Sequence, residues 1–420
     1  MILNLLDLPK KDKFGYYTVG DRDFVSKLQA IEYDNQTKYG VKWNFNEAAF
    51  NSWNWTQEPE ESLTELYHQR AQRIRKNYDY VVVWYSGGAD SHNILSSFVN
   101  RGIHVDEVAV LQYEEADNPN SYWTTEVKYT ALQDIKKLKE IMPNTLFRYV
   151  DTTRMISDLY QGDSRYDWIY HANSGLSPNN YLHTYLREFD PHYQEIIASG
   201  KKMVFVWGID KPRIKSNSER FGMYFQDIID IGVGARTQML DRPWEHDELF
   251  YWSADSIPLL IKQGHCLMKF LKLVQPPHPW LLSQDQHGHL QGSKELGSVV
   301  KNGVRYYLTQ QGQSAIIYPW WPYDRFQNSK PHGGYVLSAR DSWLFKNNHN
   351  EHTTRMQQRF YNGLDQVAKI AGNQWLNKEY DFDVSNYWFD WNLIKRFRAS
   401  SGYVGCPSPV YWLEPELNGN

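Results

Sequence analysis

The chain has 420 residues, room for two or three domains, and its 41% hydrophobic and 22% charged content marks a folded protein, not a disordered one. A formal net charge of −4 argues against a general affinity for nucleic acid but leaves room for a local basic groove. Aromatic content is the outlier at 15% of the chain, and such rings both fill cores and stack on flat ligands.

The N-terminal apolar run is broken by Asp7 and lacks the charge-then-apolar order of a secretory signal. No run approaches the roughly 18 apolar residues that cross a bilayer. Two cysteines, Cys266 and Cys406, make neither a disulfide framework nor a CxxC pair. These features predict a soluble, cytoplasmic protein with no membrane partner. Residues 1–77 read as an N-terminal extension. Within it, Pro59, Glu60 and Glu61 suggest a helix first turn, followed by Leu63, Leu66, Tyr67, Ala71 and Ile74 at helical spacing.

An α/β domain is expected over 78–240. Tyr78–Tyr85 is a short, continuous apolar run, as in a strand buried on both faces of a parallel sheet. His92–Val99 reads as a helix, Val108–Tyr113 as a second strand, and Trp123 to Leu138 as an amphipathic helix. Thr145–Val150 gives a third strand, Tyr181–Phe189 and Tyr193–Ala198 two helical stretches, and Met203–Trp207 a fourth strand. This alternation implies a Rossmann-like parallel sheet. Residues 241–420 read as an aromatic-rich, mainly helical substrate or interaction region. Glu248–Leu273 and Thr353–Ile370 are its helices, with strand-like pieces at Val304–Leu308 and Ala315–Tyr318. The run Tyr318–Phe326, with prolines and Arg325, could form a stacking wall or pack across a domain junction. His287, His289, His349 and His352 lack further ligands at useful spacing and read as surface histidines. Lys395–Arg398 reads as a solvated helix face.

The chemistry concentrates in Ser86-Gly87-Gly88-Ala89-Asp90-Ser91, between the first strand and its helix. Glycines bring backbone amides close to an anion, the helix start adds unpaired N–H groups, and the two serines add hydroxyls. Asp90 is suited to orienting the loop, capping the helix or holding magnesium. The lysine of a GxxxxGK[ST] loop is missing. At the end of the fourth strand, Asp210, Lys211 and Arg213 reach the same rim. There the cations could neutralise charge on a departing pyrophosphate and Asp210 could share the magnesium, unless the segment is only a surface turn.

Strand, SGGxDS loop and helix together resemble the PP-loop ATP pyrophosphatases, in the branch of the asparagine synthetases; the whole-chain pattern also resembles asparagine-synthase-like proteins of large bacteriophages. The resemblance implies ATP and Mg2+ as cofactors, with pyrophosphate held by Ser86, Gly87, Gly88, Ala89, Asp90 and Ser91. It implies adenine bound by backbone groups at Leu111, Gln112 and Tyr113, which otherwise simply finish a strand. The expected activity is an AMP-forming ligase that adenylates a carboxylate or carbonyl of a small molecule for attack by an amine or ammonia. Residue 2 is Ile, so the glutaminase cysteine of glutamine-dependent relatives is missing. The alternatives are modification of a nucleic-acid base by the same chemistry, and an ATP-binding sensor or scaffold without turnover.

Overall fold

The computed structural model describes residues 15–24, 27–112, 127–151, 186, 190–208, 211–216, 220–225, 227, 247–273, 282–283, 298–301, 304–308, 310–321 and 406–416. The expected helices at 181–189 and 353–370, the four histidines and Lys395–Arg398 lie outside these residues, apart from Leu186.

An N-terminal layer comes first. Strands β1 (Tyr16–Val19), β2 (Arg22–Phe24) and β3 (Val41–Asn44) form an antiparallel sheet in the order β2-β1-β3, with α1 (Lys27–Thr37) between the last two in sequence. Helices α2 (Glu47–Asn51) and α3 (Leu63–Asn77) follow. The first turn of α3 differs from the expectation. Ser62 is the cap, accepting from the Glu65 amide at 3.2 Å while the Glu65 carboxylate accepts from the Ser62 amide at 2.8 Å. This reciprocal capping satisfies two end donors at once, and it leaves Pro59, Glu60 and Glu61 outside the helix.

The central layer is a five-stranded, wholly parallel sheet. It is built from β4 (Tyr80–Trp84), β5 (Glu107–Gln112), β6 (Leu146–Asp151), β7 (Met203–Trp207) and β10 (Asp247–Leu249). Strand order is β10-β7-β4-β5-β6. The chain therefore builds outward from β4 to one side, then returns to build on the other, a Rossmann-like α/β arrangement that makes β4 the switch point. Val81, Val82 and Val83 are fully buried, as are Val204, Phe205 and Val206, which explains their unalternating apolar sequence. Helices α4 (Ala89–Val99), α5 (Leu132–Ile141, entered through a π-helical turn at Val127–Ala131) and α6 (Pro191–Ala198) connect the strands. On one face α6 brings Tyr193 edge-on to Phe205, and Trp84 stacks on Trp207 with ring centroids 5.4 Å apart. At the amino-terminal end of β5, fully buried Glu107 accepts from Arg148 and Tyr193, each at 2.9 Å, and Arg148 also pairs with Asp190.

The sheet draws β10 from beyond residue 240. The helix expected over 248–273 is consequently shorter, α7 at Ile257–Leu273, with Pro258 near its start where a missing N–H does no harm. Arg70 of α3 locks this edge. It donates to Glu248 Oε2 at 2.8 Å, to the Leu249 carbonyl at 3.0 Å and to the Phe250 carbonyl at 3.1 Å.

A third sheet joins β8 (Arg213–Ser216), β9 (Phe221–Tyr224) and β14 (Tyr411–Trp412) in the order β14-β9-β8, and a fourth joins β11 (Leu282–Ser283), β13 (Val304–Leu308) and β12 (Ser298–Lys301). Helix α8 (Gln310–Ile317) takes in residues 315–317 of the piece read as strand-like at 315–318, and Tyr318 follows its end. The expectation of a mainly helical region beyond 240 is not supported by the described residues, which hold strands as well as helices. Tyr17 donates to Asp227 at 2.7 Å, and the Cys406 amide donates to the other oxygen of the same carboxylate, so residues far apart in sequence close one aromatic core containing Phe45, Phe50, Phe225 and Tyr411. No helix among the described residues is long and apolar enough to cross a membrane.

Candidate functional site

The SGGxDS loop leaves the carboxyl end of β4, between β5 and β7, where the crevice of an open α/β sheet forms. Tyr85 continues the ladder by one bond, its amide donating to the Ala109 carbonyl at 2.9 Å. The chain then turns through Gly87 at φ +79°, in the left-handed region. A Cβ there would stand 2.5 Å from the Ala131 amide nitrogen and would also strike the Thr130 hydroxyl. Helix α5's entry turn therefore rests directly on the loop, and only glycine admits it.

The serines bind the loop to itself. Ser91 Oγ lies 3.2 Å from Ser86 Oγ, accepts from the Ser86 amide and donates to the Gly88 carbonyl. Ser86 Oγ in turn accepts from the Gly88 amide at 3.2 Å. Helix α4 starts on Gly88, which brings no capping side chain, so the first-turn amides after it receive no side-chain cap. Uncapped amides at the positive end of a helix dipole, behind a glycine turn and beside two hydroxyls, are suited to receive an oxyanion.

Asp90, in the first turn, is held by a polar cluster beside the loop. Lys211 Nζ donates to both of its oxygens, at 2.6 and 2.8 Å, and the Tyr318 hydroxyl donates to Oδ1. The same ammonium lies 5.3 Å from the centre of the Tyr318 ring. Tyr251 donates to the Asp90 backbone carbonyl at 2.7 Å. Gly208, just past β7, is the close approach that permits this: a Cβ there would stand 3.1 Å from Asp90 Cβ. Burial holds the Tyr318 and Tyr251 phenols well above the usual tyrosine value, and the negative charge of Asp90 adds to the effect on both. Both are therefore hydrogen-bond donors at neutral pH.

A second cluster borders the loop at Tyr85. Tyr85 donates to Asp134 of α5 and lies 3.0 Å from His92 Nδ1, and the Trp321 ring meets the His92 ring edge-on at 5.6 Å. Sequence reasoning did not assign Tyr85, His92, Asp134, Tyr251 or Tyr318 to the site. A signal existed for one member and one neighbour of this group: Tyr318 and Trp321 belong to the proline- and tryptophan-rich run that could form a stacking wall. Its first and fourth residues meet the loop and the helix that follows, through a phenol on Asp90 and an indole on His92, while Trp320 packs on Tyr67 and His68 of α3.

Of the other predicted site residues, Gln112 ends β5 in register with Asp151, at the carboxyl rim beside the loop. Tyr113 and Asp210 lie outside the described residues. Arg213 opens β8 and is 9% exposed; its Nε has no hydrogen-bond partner. No family model matches this chain, and no curated protein or solved structure matches it either. The chemistry of the loop is therefore read from its own geometry.

That geometry fits a phosphate chain better than a protein-built metal cage. Among the described residues no group of three or more His, Cys, Asp or Glu is placed to hold a metal ion, and both Asp90 oxygens are engaged by Lys211. A magnesium ion here would draw most of its ligands from phosphate oxygens and water, with Asp90 the only nearby carboxylate of the loop. Cys266 lies on α7 near Glu58, Lys262 and Lys269, and burial raises its thiol, which keeps it protonated and weakly nucleophilic.

Proposed function

We propose that this protein is a PP-loop ATP pyrophosphatase that binds ATP at Ser86–Ser91 and forms AMP and pyrophosphate while adenylating a small-molecule carboxylate or carbonyl. The observation that carries the reading is the position of the glycine turn and the side-chain-uncapped helix start of α4, at the switch point of a parallel sheet. The first-turn amides, with Ser86 and Ser91, hold the β- and γ-phosphates. A substrate oxygen attacks the α-phosphorus, the bond from that phosphorus to the bridging oxygen breaks, and pyrophosphate leaves with the electron pair. An amine then displaces AMP from the activated carbon. Lys211, held at the loop by Asp90, supplies the positive charge that stabilises the departing pyrophosphate. Magnesium, when bound with the nucleotide, adds further charge neutralisation. Backbone groups at the end of β5, around Gln112, take the adenine.

Product analysis with ATP and magnesium tests this. Wild-type protein should release AMP and pyrophosphate, and Ser86→Ala and Asp90→Ala should lose that release. Formation of ADP and phosphate instead would overturn the proposal, as would AMP formation indifferent to both substitutions.

A further inference from the structure

Among the described residues two arginines are buried, Arg70 and Arg213, and Arg148 is half-buried. Arg70 meets Glu248 and two carbonyls, and Arg148 meets Glu107 and Asp190. Arg213 is also buried, yet its Nε has no acceptor and, among the described residues, no carboxylate forms an ion pair with it. An uncompensated buried cation strongly opposes folding, so a group held this way is explained by an anion that arrives later.

Its direction follows from the chain around it. Pro212 fixes its own φ and keeps Lys211 extended, so side chains 211 and 213 leave on the same side of the backbone. Lys211 uses that side to reach Asp90 at the loop. The other side of β8 and β9 carries Ile214 and its partner Met223, and Met223 lies against Gly264 of α7. Gln313 of α8 pins the arrangement by donating to the Pro212 carbonyl at 2.7 Å. Arg213 is thus directed to the loop side, about 6.5 Å of strand beyond Lys211.

We propose that Arg213 anchors the second substrate of the reaction by a carboxylate, separate from the oxygen that attacks phosphorus. This rests on the phosphate-loop reading for the identity of the first substrate. The triphosphate already has the first-turn amides, the two seryl hydroxyls and Lys211. A guanidinium offers a planar fork that matches a carboxylate with two parallel bonds, and oxygens held in that fork are anchored instead of attacking. At 9% exposure it suits a small acid better than a polynucleotide backbone. The acceptor is accordingly an amino acid or a dicarboxylate, with one acid group for recognition and another group for chemistry.

Succinate and inorganic pyrophosphate, titrated separately at constant ionic strength with melting temperature and calorimetric affinity as readouts, test the assignment on the full chain. Succinate should stabilise wild-type and Ser86→Ala alike. Its affinity should fall roughly 10- to 100-fold in Arg213→Met and by less in Arg213→Lys, which keeps the charge and loses the fork. Pyrophosphate binding should survive Arg213→Met and be lost in Ser86→Ala. A succinate response absent from wild-type, or equal in wild-type and Arg213→Met, overturns the anchor. So does an Arg213→Met variant that loses only pyrophosphate, since Arg213 would then belong to the phosphate site. Should Arg213→Met not fold, Arg213→Lys carries the same comparison. Pyrophosphate binding untouched by Ser86→Ala would sink the loop reading alone and leave the Arg213 result interpretable.

Discussion

Replacing Gly87 by alanine tests whether the loop is built as described. Two separable effects act there. A left-handed φ of +79° is unfavourable for an L side chain by about 1–2 kcal/mol. The new methyl would also stand 2.5 Å from the Ala131 amide nitrogen and 2.9 Å from its Cα. Those are backbone atoms of a helix entry and cannot rotate aside, so forced repacking adds about 1–3 kcal/mol. Together the expected loss is about 2–5 kcal/mol, read from urea unfolding midpoints at unchanged m-value. Gly102 is the matched control, since its φ is +64° but a Cβ there meets nothing within 4 Å. Gly102→Ala should therefore show the conformational part alone, about 1–2 kcal/mol. Gly87→Ala should also weaken pyrophosphate binding, because the turn that presents the amides is displaced. Equal destabilisation by the two substitutions, within about 0.5 kcal/mol, would refute the packing of α5 on the loop.

Other consequences are measurable with the same material. Glu248→Ala strands the buried Arg70 charge and should destabilise by about 3–5 kcal/mol in chemical denaturation, whereas Lys42→Ala, in an exposed pair with Glu47, should change stability by less than about 1 kcal/mol. Lys211→Met should lower AMP formation by about 10²–10³-fold, the usual effect of removing one group that meets developing charge; a fall under tenfold would remove Lys211 from the reaction. Tyr67, Tyr251 and Tyr318 are held above the ordinary tyrosine value by burial, so below about pH 10 folded and unfolded chains are equally protonated and the stabilisation is complete. Above that the unfolded chain releases protons that the native one keeps, and stability should fall by up to about 1.4 kcal/mol per pH unit for each phenol. Urea midpoints between about pH 9 and pH 11, with tyrosinate absorbance of the native protein, would show it. Native-state ionisation of these three near pH 10 would contradict the burial argument.

The parallel layer was legible because a strand buried on both faces has no reason to alternate, and the runs at 80–84 and 203–207 announce themselves. The loop was legible because its glycines and serines are contiguous. Strand β10 was not: three residues, Asp247–Leu249, carry no period, and their pairing with β7 depends on a neighbour about 40 positions away. Residues 315–318 read as a strand because a short apolar stretch fits either period; Ser314 and Ile317 are buried one helical turn apart, against α7. The start of α3 misled because acidic residues at 60 and 61 imitate a first turn, while the reciprocal Ser62–Glu65 pair was the stronger signal. Around Asp90 the limit is of another kind. Lys211 is 121 positions away and Tyr318 is 228, and no local pattern encodes a contact at that range.

The small sheet has its own consequence for how the chain assembles. The Phe225 amide is bound by Ser408, 183 positions later, and β9 gains its second neighbour only from residues 411–412. At ribosomal speeds of about 5–20 residues per second, β9 waits on the order of 10–40 s after synthesis for that partner. Until then one strand edge and the rings that Tyr411 covers, Phe50 and Trp55 among them, stand open. That interval is when a nascent chain of this kind is most exposed to self-association, and a ribosome stalled short of residue 406 would hold it there.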